Sequence, residues 1–492
     1  MKTFYITTTL PYVNAEPHIG FAAEIIKADV IARWQRLLGK TVFFNTGTDE
    51  HGLKIYRKAK AEGKDPQKYC DEYAAKFDNL KSALNLSYNN FIRTTDPHHI
   101  TAAQEFWKRC EKNGDIYKKN YKIKYCVGCE LEKTESELVN GKCPDHPNLE
   151  LETIEEENYF FRWSKYQDKL LKLYEKNKDF VVPAHRLNEI KNFVSSGLQD
   201  FSVSRLVEKM PWGIPVPGDQ KHVMYVWFDA LVNYVSALGW PEDEKKFKDF
   251  WPVVQVAGKD NLRQQSAMWQ GMLMSAGLPA SKQILIFGFL TANGQKMSKS
   301  LGNVINPFPL VEKYGADAVR YYLLSEILPF EDGDFSYEKF EIRYNADLAN
   351  GLGNLVARVS NLLEKNEIEI KIKTDSDKKL KKEFSQKMEL YRFDEALKIL
   401  WDKVRESDEF LSAKAPWKMK DKDDIKKVLE PVAENILNIA YYLQPFMPAT
   451  AEKIIKQFSE KQIKKGEGLF PRIAPAVIAS PEASGRSNLA ND

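Results

Sequence analysis

The chain has 492 residues, 43% hydrophobic and 29% charged, which excludes a disordered chain and is too long for a single core. Its 72 Lys and Arg stand against 69 acids, a formal charge of +3, so any nucleic-acid surface must come from local clustering. No run reaches the roughly 18 apolar residues of a spanning helix and the N-terminus lacks a signal-peptide core, so the expectation is a cytoplasmic protein with no membrane partner.

In chain order, Phe4 to Leu10 is rich in aromatic and β-branched residues and stops at Pro11, which predicts a strand. Residues 20–38 set Ile25, Ile26, Val30, Trp34, Leu37 and Leu38 at helical spacing, with Gly39 just after. Thr41 to Phe44 reads as a second strand running into Gly47-Thr48-Asp49-Glu50-His51-Gly52. Strand, helix, strand within about 45 residues is a βαβ unit, hence a parallel sheet with a nucleotide crevice at its strand ends. Residues 113–225 interrupt this grammar. It returns with Val253 to Ala257 ahead of Gly258-Lys259-Asp260, a helical stretch to Ala276, and a strand over Gln283 to Leu290. From about residue 345 strand signals fade, and Leu348, Leu352, Leu355, Val359, Leu362 and Leu363 mark helices. Glu367 to Lys382 reads as a solvated loop, and the small polar residues from Ser480 to Asp492 as a frayed end.

The expected fold class is therefore α/β: a Rossmann-type doubly wound parallel sheet split by an insertion in which Cys126, Cys129, Cys143 and His146 stand at zinc-knuckle spacing, followed by an all-α helical bundle. The expected boundaries are 1–112 and 226–310 for the two halves of the sheet domain and 113–225 for the insertion, with its knuckle near 122–150. A linking region over 311–345, a helical domain over 346–470 and a tail over 471–492 complete the chain.

Three strings carry chemistry. Pro17-His18-Ile19-Gly20 stands at the mouth of the first helix, where free amides and the positive dipole end suit phosphate. Gly20 lets a nucleotide approach the backbone, and His18 can donate to phosphate oxygens. Lys296-Met297-Ser298-Lys299-Ser300 follows Asn293-Gly294-Gln295 in an expected flexible loop, where two lysines and two hydroxyls form a cationic clamp for a triphosphate. The bland readings are a capped turn and a solvated basic loop. The third string, Cys126-x2-Cys129-x13-Cys143-x2-His146, offers three thiolates and one imidazole, a closed tetrahedron for one structural Zn2+. Three of the five Cys lie within this span of eighteen positions, which favours a metal over a disulfide framework.

A helix-mouth His-Ile-Gly paired with a distant lysine loop resembles the class I aminoacyl-tRNA synthetases. The runs ITTTLPYVNAEPHIG, NTGTDEHG, WGIPVP, YVWFDAL, GKDNL and KMSKSLGN, in that order, narrow the resemblance to the methionyl-tRNA synthetases, over almost the whole chain to about Ile473. It implies an ATP-dependent ligase that forms methionyl-adenylate and transfers the methionyl group to tRNA(Met), with Mg2+ accompanying ATP. It assigns His18, Gly20, Lys296, Lys299 and Arg205 to catalysis, and Pro17, His18, Gly20, Lys259, Asp260, Lys296, Ser298 and Lys299 to ATP. The methionine pocket falls on Leu10, Tyr12, Asp49, Trp227, Ala230, Leu231, Tyr234, Gln265 and Trp269. Aromatic faces suit a thioether, and Asp49 suits an ammonium. Asn354, Arg358 and Trp417 match anticodon contacts, which makes 311–345 a stem-contact region and 346–470 an anticodon-binding domain. Two positions depart from the family: Phe21 stands where it usually has a second His, and Gln264-Gln265 where it often has Phe-His. The chain lacks the extra domain that dimerises some relatives, so a monomer is expected. The rival readings are another class I synthetase for an apolar amino acid, a non-catalytic tRNA-binding relative, and a zinc-knuckle RNA-binding module.

Overall fold

The structure, a computed structural model, describes residues 2–133, 135–297, 302–372 and 374–473; for residues 121, 123, 132, 136, 154 and 296 it describes the backbone alone. Ser298, Lys299, Ser300 and the tail from Ser480 lie outside the described residues. The expected sheet is six-stranded and parallel throughout. Its strands are β1 (Thr3–Thr8), β2 (Thr41–Thr48), β3 (Asn90–Arg93), β4 (Val181–Val182), β5 (Val254–Gly258) and β6 (Gln283–Phe287). Their spatial order is β3-β2-β1-β5-β6-β4. Helices cover both faces of such a sheet, so β1 and β2 are buried continuously after their first residue rather than alternately. Their polar residues consequently pair inside, as Thr8 Oγ1 does with Thr46 Oγ1 at 2.8 Å.

The strand order reverses between β1 and β5. From β1 the chain runs through α1 (Ile19–Leu37) to β2, while β5 leads the other way to β6. In open parallel sheets the ligand crevice opens at that reversal, beyond the carboxyl ends of the strands. Three further helices matter for the site: α2 (Leu53–Ala61), α3 (Pro97–Lys112) and α4 (Val226–Leu231). The stretch expected to be an insertion returns to the sheet edge at β4, where Val181 registers with Ile284. Its larger part is antiparallel: the strand Ile116–Cys126 pairs with Glu152–Phe161 from Ile116↔Phe161 to Tyr125↔Glu152 and carries the Cys cluster at its far end. The helix expected to run to Ala276 opens as a wide π-type turn over Gln264–Met268 and becomes α-helical only over Trp269–Ser275.

By internal contacts the chain divides into two compact units. One comprises the residues to Asp334 together with Lys382–Leu397 and Leu443–Ala449; the other comprises Phe335–Lys381, Lys398–Tyr442 and the residues from Thr450 on. In the first, α1 is pinned by a buried ion pair. Asp29 is 2.8 Å from Arg33 and 2.8 Å from Arg320, and Arg320 spends its other donors on the carbonyls of Leu84, Pro445 and Phe446. Burial favours the neutral acid, but the two guanidiniums outweigh it and hold the Asp29 pKa below the usual carboxylate range. The second unit is helical. The stretch Glu367 to Lys382, read as a loop, contains a bridge from Glu369 to Gln462 and the first turn of the helix Lys378–Glu389.

Candidate active site

His18 is the N-cap of α1, with extended backbone angles, and its Nδ1 accepts from the Gly20 N–H at 3.1 Å. Burial lowers its pKa, so the ring is neutral, and with Nδ1 accepting, the remaining proton sits on Nε2 as a neutral donor at the helix mouth. A Cβ on Gly20 would come within 2.9 Å of that ring and 3.4 Å of Met297 Cε. The capped-turn reading and the phosphate reading of this string are thus the same geometry. Phe21 fills the position of the family's second His and packs edge-on against Phe77, centroids 5.5 Å apart.

The described residues on either side of 298–301 both lie at this mouth. Met297 reaches Gly20, and beyond the loop the Ile305 carbonyl accepts from the Ile19 N–H at 2.9 Å. The residues before it form a hairpin; of the string expected to be a flexible loop, Ser298, Lys299 and Ser300 lie outside the described residues. Leu290–Ala292 pairs with Gln295–Lys296, and Asn293 and Gly294 both take positive φ (51° and 74°), as a tight two-residue turn requires. Asp334 locks the turn by accepting from Gly294 N–H at 2.6 Å and Thr291 Oγ1 at 2.7 Å.

At the end of β5, Lys259 is committed to Asp332 at 2.5 Å, while Asp260 is exposed. Facing them is a group the sequence reading missed. Glu24, on α1, accepts from Thr9 Oγ1 at 2.6 Å and Thr9 N at 3.3 Å, and burial raises its pKa to about 7, the nearby Asp260 adding to the shift. Its one signal in the sequence is a carboxylate four residues after Gly20, on a helix face shared with Phe21, Lys27 and Ala28.

Of the proposed methionine residues, Leu10, Tyr12 and Asp49 lie just beyond β1 and β2, Trp227, Ala230 and Leu231 on α4, Tyr234 on the short helix Asn233–Ser236, and Gln265 and Trp269 at the π-type turn and the helix it leads into. Tyr12 bridges to Asp49, whose N–H donates to the Pro11 carbonyl at 3.0 Å. Three buried polar atoms here have no protein partner: Tyr12 Oη, Asp49 Oδ1 and Trp227 Nε1. Asp49 is 4% exposed, and burial pushes its pKa well up, with Asp229, Glu130 and Glu50 adding to the shift. Leu231, Tyr234 and Trp269 belong to the aromatic-rich core, against which Leu10 and Trp227 pack, and Ala230 is buried beside them. The Tyr234 ring meets Trp269 edge-on at 5.7 Å. Gln265 is 1% exposed and accepts from Gln255 Nε2 at 2.6 Å, and both amides bond the Tyr234 hydroxyl.

Arg205 lies on the short strand Ser204–Leu206. Its guanidinium donates to Ser202 Oγ and the Ser204 carbonyl, both at 2.7 Å, and lies 5.2 and 4.7 Å from the rings of Tyr125 and Tyr225. It lines a cavity of about 240 Å³ with Arg57, Glu152, Glu156 and Lys209. Cys126, Cys129, Cys143 and His146 converge, their ligand atoms all within 4.8 Å of one another. Cys129 Sγ is 3.4 Å from Cys143 Sγ and 3.2 Å from His146 Nδ1, and a Cβ on Gly128 would strike the His146 ring at 2.5 Å. Three thiols and one imidazole around one centre fit a tetrahedral metal. In the helical unit, Asn354 and Arg358 lie on the helix Asn354–Lys365. Arg358 pairs with Asp408 and sits 5.3 Å over the ring of Trp417, which is 48% exposed.

The model of the class I tRNA synthetases of the methionyl group matches residues 4–152 and 148–360, and that of the anticodon-binding domain of tRNA ligases matches 376–482. The chain is 44% identical to a methionine–tRNA ligase of Nostoc over 93% of its length and 90% of that relative. It is 45% identical to one of Thermosynechococcus vestitus over 98% and 93%. Among solved structures it resembles the Mycobacterium tuberculosis methionyl-tRNA synthetase in complex with methionyl-adenylate, with a TM-score of 0.91 and 37% identity over 96% of this chain and 100% of that one.

Proposed function

The chain belongs to the class I methionyl-tRNA synthetases, and from that premise we propose how its residues divide the work of a methionine–tRNA ligase. The enzyme activates methionine with ATP and joins it to tRNA; the rival readings, another class I synthetase and a catalytically silent relative, have no support from the comparisons. The observation that carries the assignment is the orphaned oxygen of Asp49. A buried carboxylate with an open acceptor, bridged through its main chain to Tyr12, whose hydroxyl also lacks a partner, suits an ammonium at the reversal of a parallel sheet.

Methionine enters with its ammonium on Asp49 and its thioether among Leu10, Tyr12, Trp227, Ala230, Leu231 and Tyr234, with Gln265 and Trp269 behind. One carboxylate oxygen attacks the α-phosphorus of ATP, which arrives as its Mg2+ complex. A bond to that oxygen forms, the bond to the β-phosphate bridge breaks, and pyrophosphate leaves. His18 Nε2–H, the α1 amides, and Lys296 and Lys299 take up the charge that spreads onto the phosphate oxygens. Pro17, Lys259, Asp260 and Ser298 line the nucleotide, and Arg205 serves the phosphate side. A terminal hydroxyl of tRNA(Met) then attacks the acyl carbon and AMP leaves with its oxygen.

Zn2+, when bound by Cys126, Cys129, Cys143 and His146, supplies a structural crosslink to the knuckle. Asn354, Arg358 and Trp417 read the anticodon, in the expected arrangement of sheet halves, insertion, stem-contact region and helical domain. We place a monomer in the cytoplasm; no described helix is long and apolar enough to cross a membrane. ATP–pyrophosphate exchange against methionine, leucine and cysteine tests the reading: exchange with methionine alone is expected, and preference for another amino acid would refute it.

A further inference from the structure

Behind Asp49 lies a cluster that the reaction does not use. Asp229, on α4, is fully buried and faces two imidazoles: Oδ2 lies 2.7 Å from His51 Nδ1 and Oδ1 2.8 Å from His99 Nε2. His99, on α3 and equally buried, has its other ring nitrogen 2.9 Å from Ser236 Oγ. The ring of His51 rests against Trp212, centroids 5.6 Å apart, and its main chain, two residues on from Asp49, lies close enough for its N–H to favour the ionised Asp49 carboxylate. One carboxylate thus ties together the loop that presents Asp49, the helix that presents Trp227, Ala230 and Leu231, and α3.

Apolar packing would join these elements at lower desolvation cost than a buried carboxylate with two imidazoles. What packing cannot supply is direction. A charge-assisted hydrogen bond fixes the orientation of a ring, and a fixed ring fixes the main chain that bears it. We propose that Asp229, acting through His51, is a positioning residue for the substrate ammonium: it holds the His51 N–H against Asp49 so that the open Oδ1 faces the pocket. This rests on the reading of Asp49 as the ammonium's partner.

The charges around Asp49 give the proposal a sign that mere electrostatics would not. Glu50 is held by Arg93 at 2.6 and 2.8 Å, and Glu130 by the Lys54 N–H at 2.8 Å and by Tyr125. Arg205 lies over Tyr125 and Tyr225, and Tyr12 adjoins Asp49. Asp229, Glu130 and Glu50 all oppose ionisation of Asp49. Neutralising Asp229 alone would therefore ease the ionisation of Asp49 and tighten methionine binding at acid pH. Loss of positioning does the opposite at every pH.

The experiment is ATP–pyrophosphate exchange by the full chain and its Asp229→Asn, His51→Leu and Asp49→Asn variants, from about pH 6 to about pH 9, varying methionine and ATP separately. For Asp229→Asn and His51→Leu the KM for methionine is expected to rise about tenfold to a hundredfold across the range, while that for ATP moves less than about threefold. An unchanged KM for methionine in both, a fall at acid pH, or an equal rise for both substrates would overturn the proposal. Should Asp49→Asn weaken methionine while both other variants leave it unchanged, this inference fails and the ammonium reading stands. Should Asp49→Asn itself leave methionine unaffected, the ammonium reading fails.

Discussion

Asp49 Oδ1 is an acceptor without a donor, in surroundings whose other carboxylates, Glu50, Glu130 and Asp229, all have partners. Its raised pKa has a definite consequence. The folded protein holds a proton on Asp49 that the unfolded chain would release, so its contribution to stability is full below the ordinary Asp range and is lost as pH rises through the raised value. A methionine ammonium needs the ionised form, so methionine affinity should rise with pH across that same window and binding should release a proton. Calorimetry in buffers of different ionisation enthalpy measures the proton, and none released would contradict the assignment. At Gly20, the 2.9 Å clearance to the His18 ring leaves no room for a methyl group. Gly20→Ala should push the capping ring away and depress pyrophosphate exchange at least about a hundredfold with methionine binding retained, which isothermal titration beside the exchange assay would show. His18, Gly20 and Asp49 were legible because their chemistry is written in contiguous strings. Glu24 was not, since one acid on a helix face reads as ordinary solvent exposure until Thr9 is seen to cover it.

Elements were legible in proportion to how local their causes are. The βαβ unit, the knuckle and the helical half follow from periodicity and spacing. The hairpin at Asn293-Gly294 carries a recognised turn signal, yet what locks it is Asp334, forty residues on, which no local pattern points to. The pairing of β4 with β6 rests on two residues, Val181 and Val182, too few for any period to show. The network of His51, His99 and Asp229 joins residues up to 178 apart in sequence, and no pattern could announce it. In the helical unit, Ala415 takes a left-handed φ of 45° and turns the chain into Pro416-Trp417-Lys418, which sets an indole on the surface under Arg358. Stacking of a base on an aromatic contributes about 1–3 kcal/mol. Trp417→Ala should accordingly raise the KM for tRNA about tenfold or more while leaving ATP–pyrophosphate exchange untouched, and a parallel loss of exchange would argue for a structural role instead.

On the scale of the whole molecule, the two units are interleaved rather than sequential, because Lys382–Leu397 and Leu443–Ala449 belong to the first although residues of the second surround them. Domain boundaries drawn as successive intervals cannot express this, and nothing local in those segments marks their allegiance. The carbonyls of Pro445 and Phe446 satisfy the buried guanidinium of Arg320. Stripping partners from a buried charge costs about 3–5 kcal/mol. A fragment ending at Asp334 should thus be far less stable than the full chain, and Arg320→Met, which removes the charge but still fills the buried space, should lower the melting temperature less than Arg320→Ala, which also leaves a cavity; thermal denaturation of the three proteins decides it. During synthesis the same threading imposes a schedule. The nascent nucleotide-binding core must wait with a solvated arginine until the ribosome has passed residue 449, so its completion is timed by a segment translated well after it rather than by its own length.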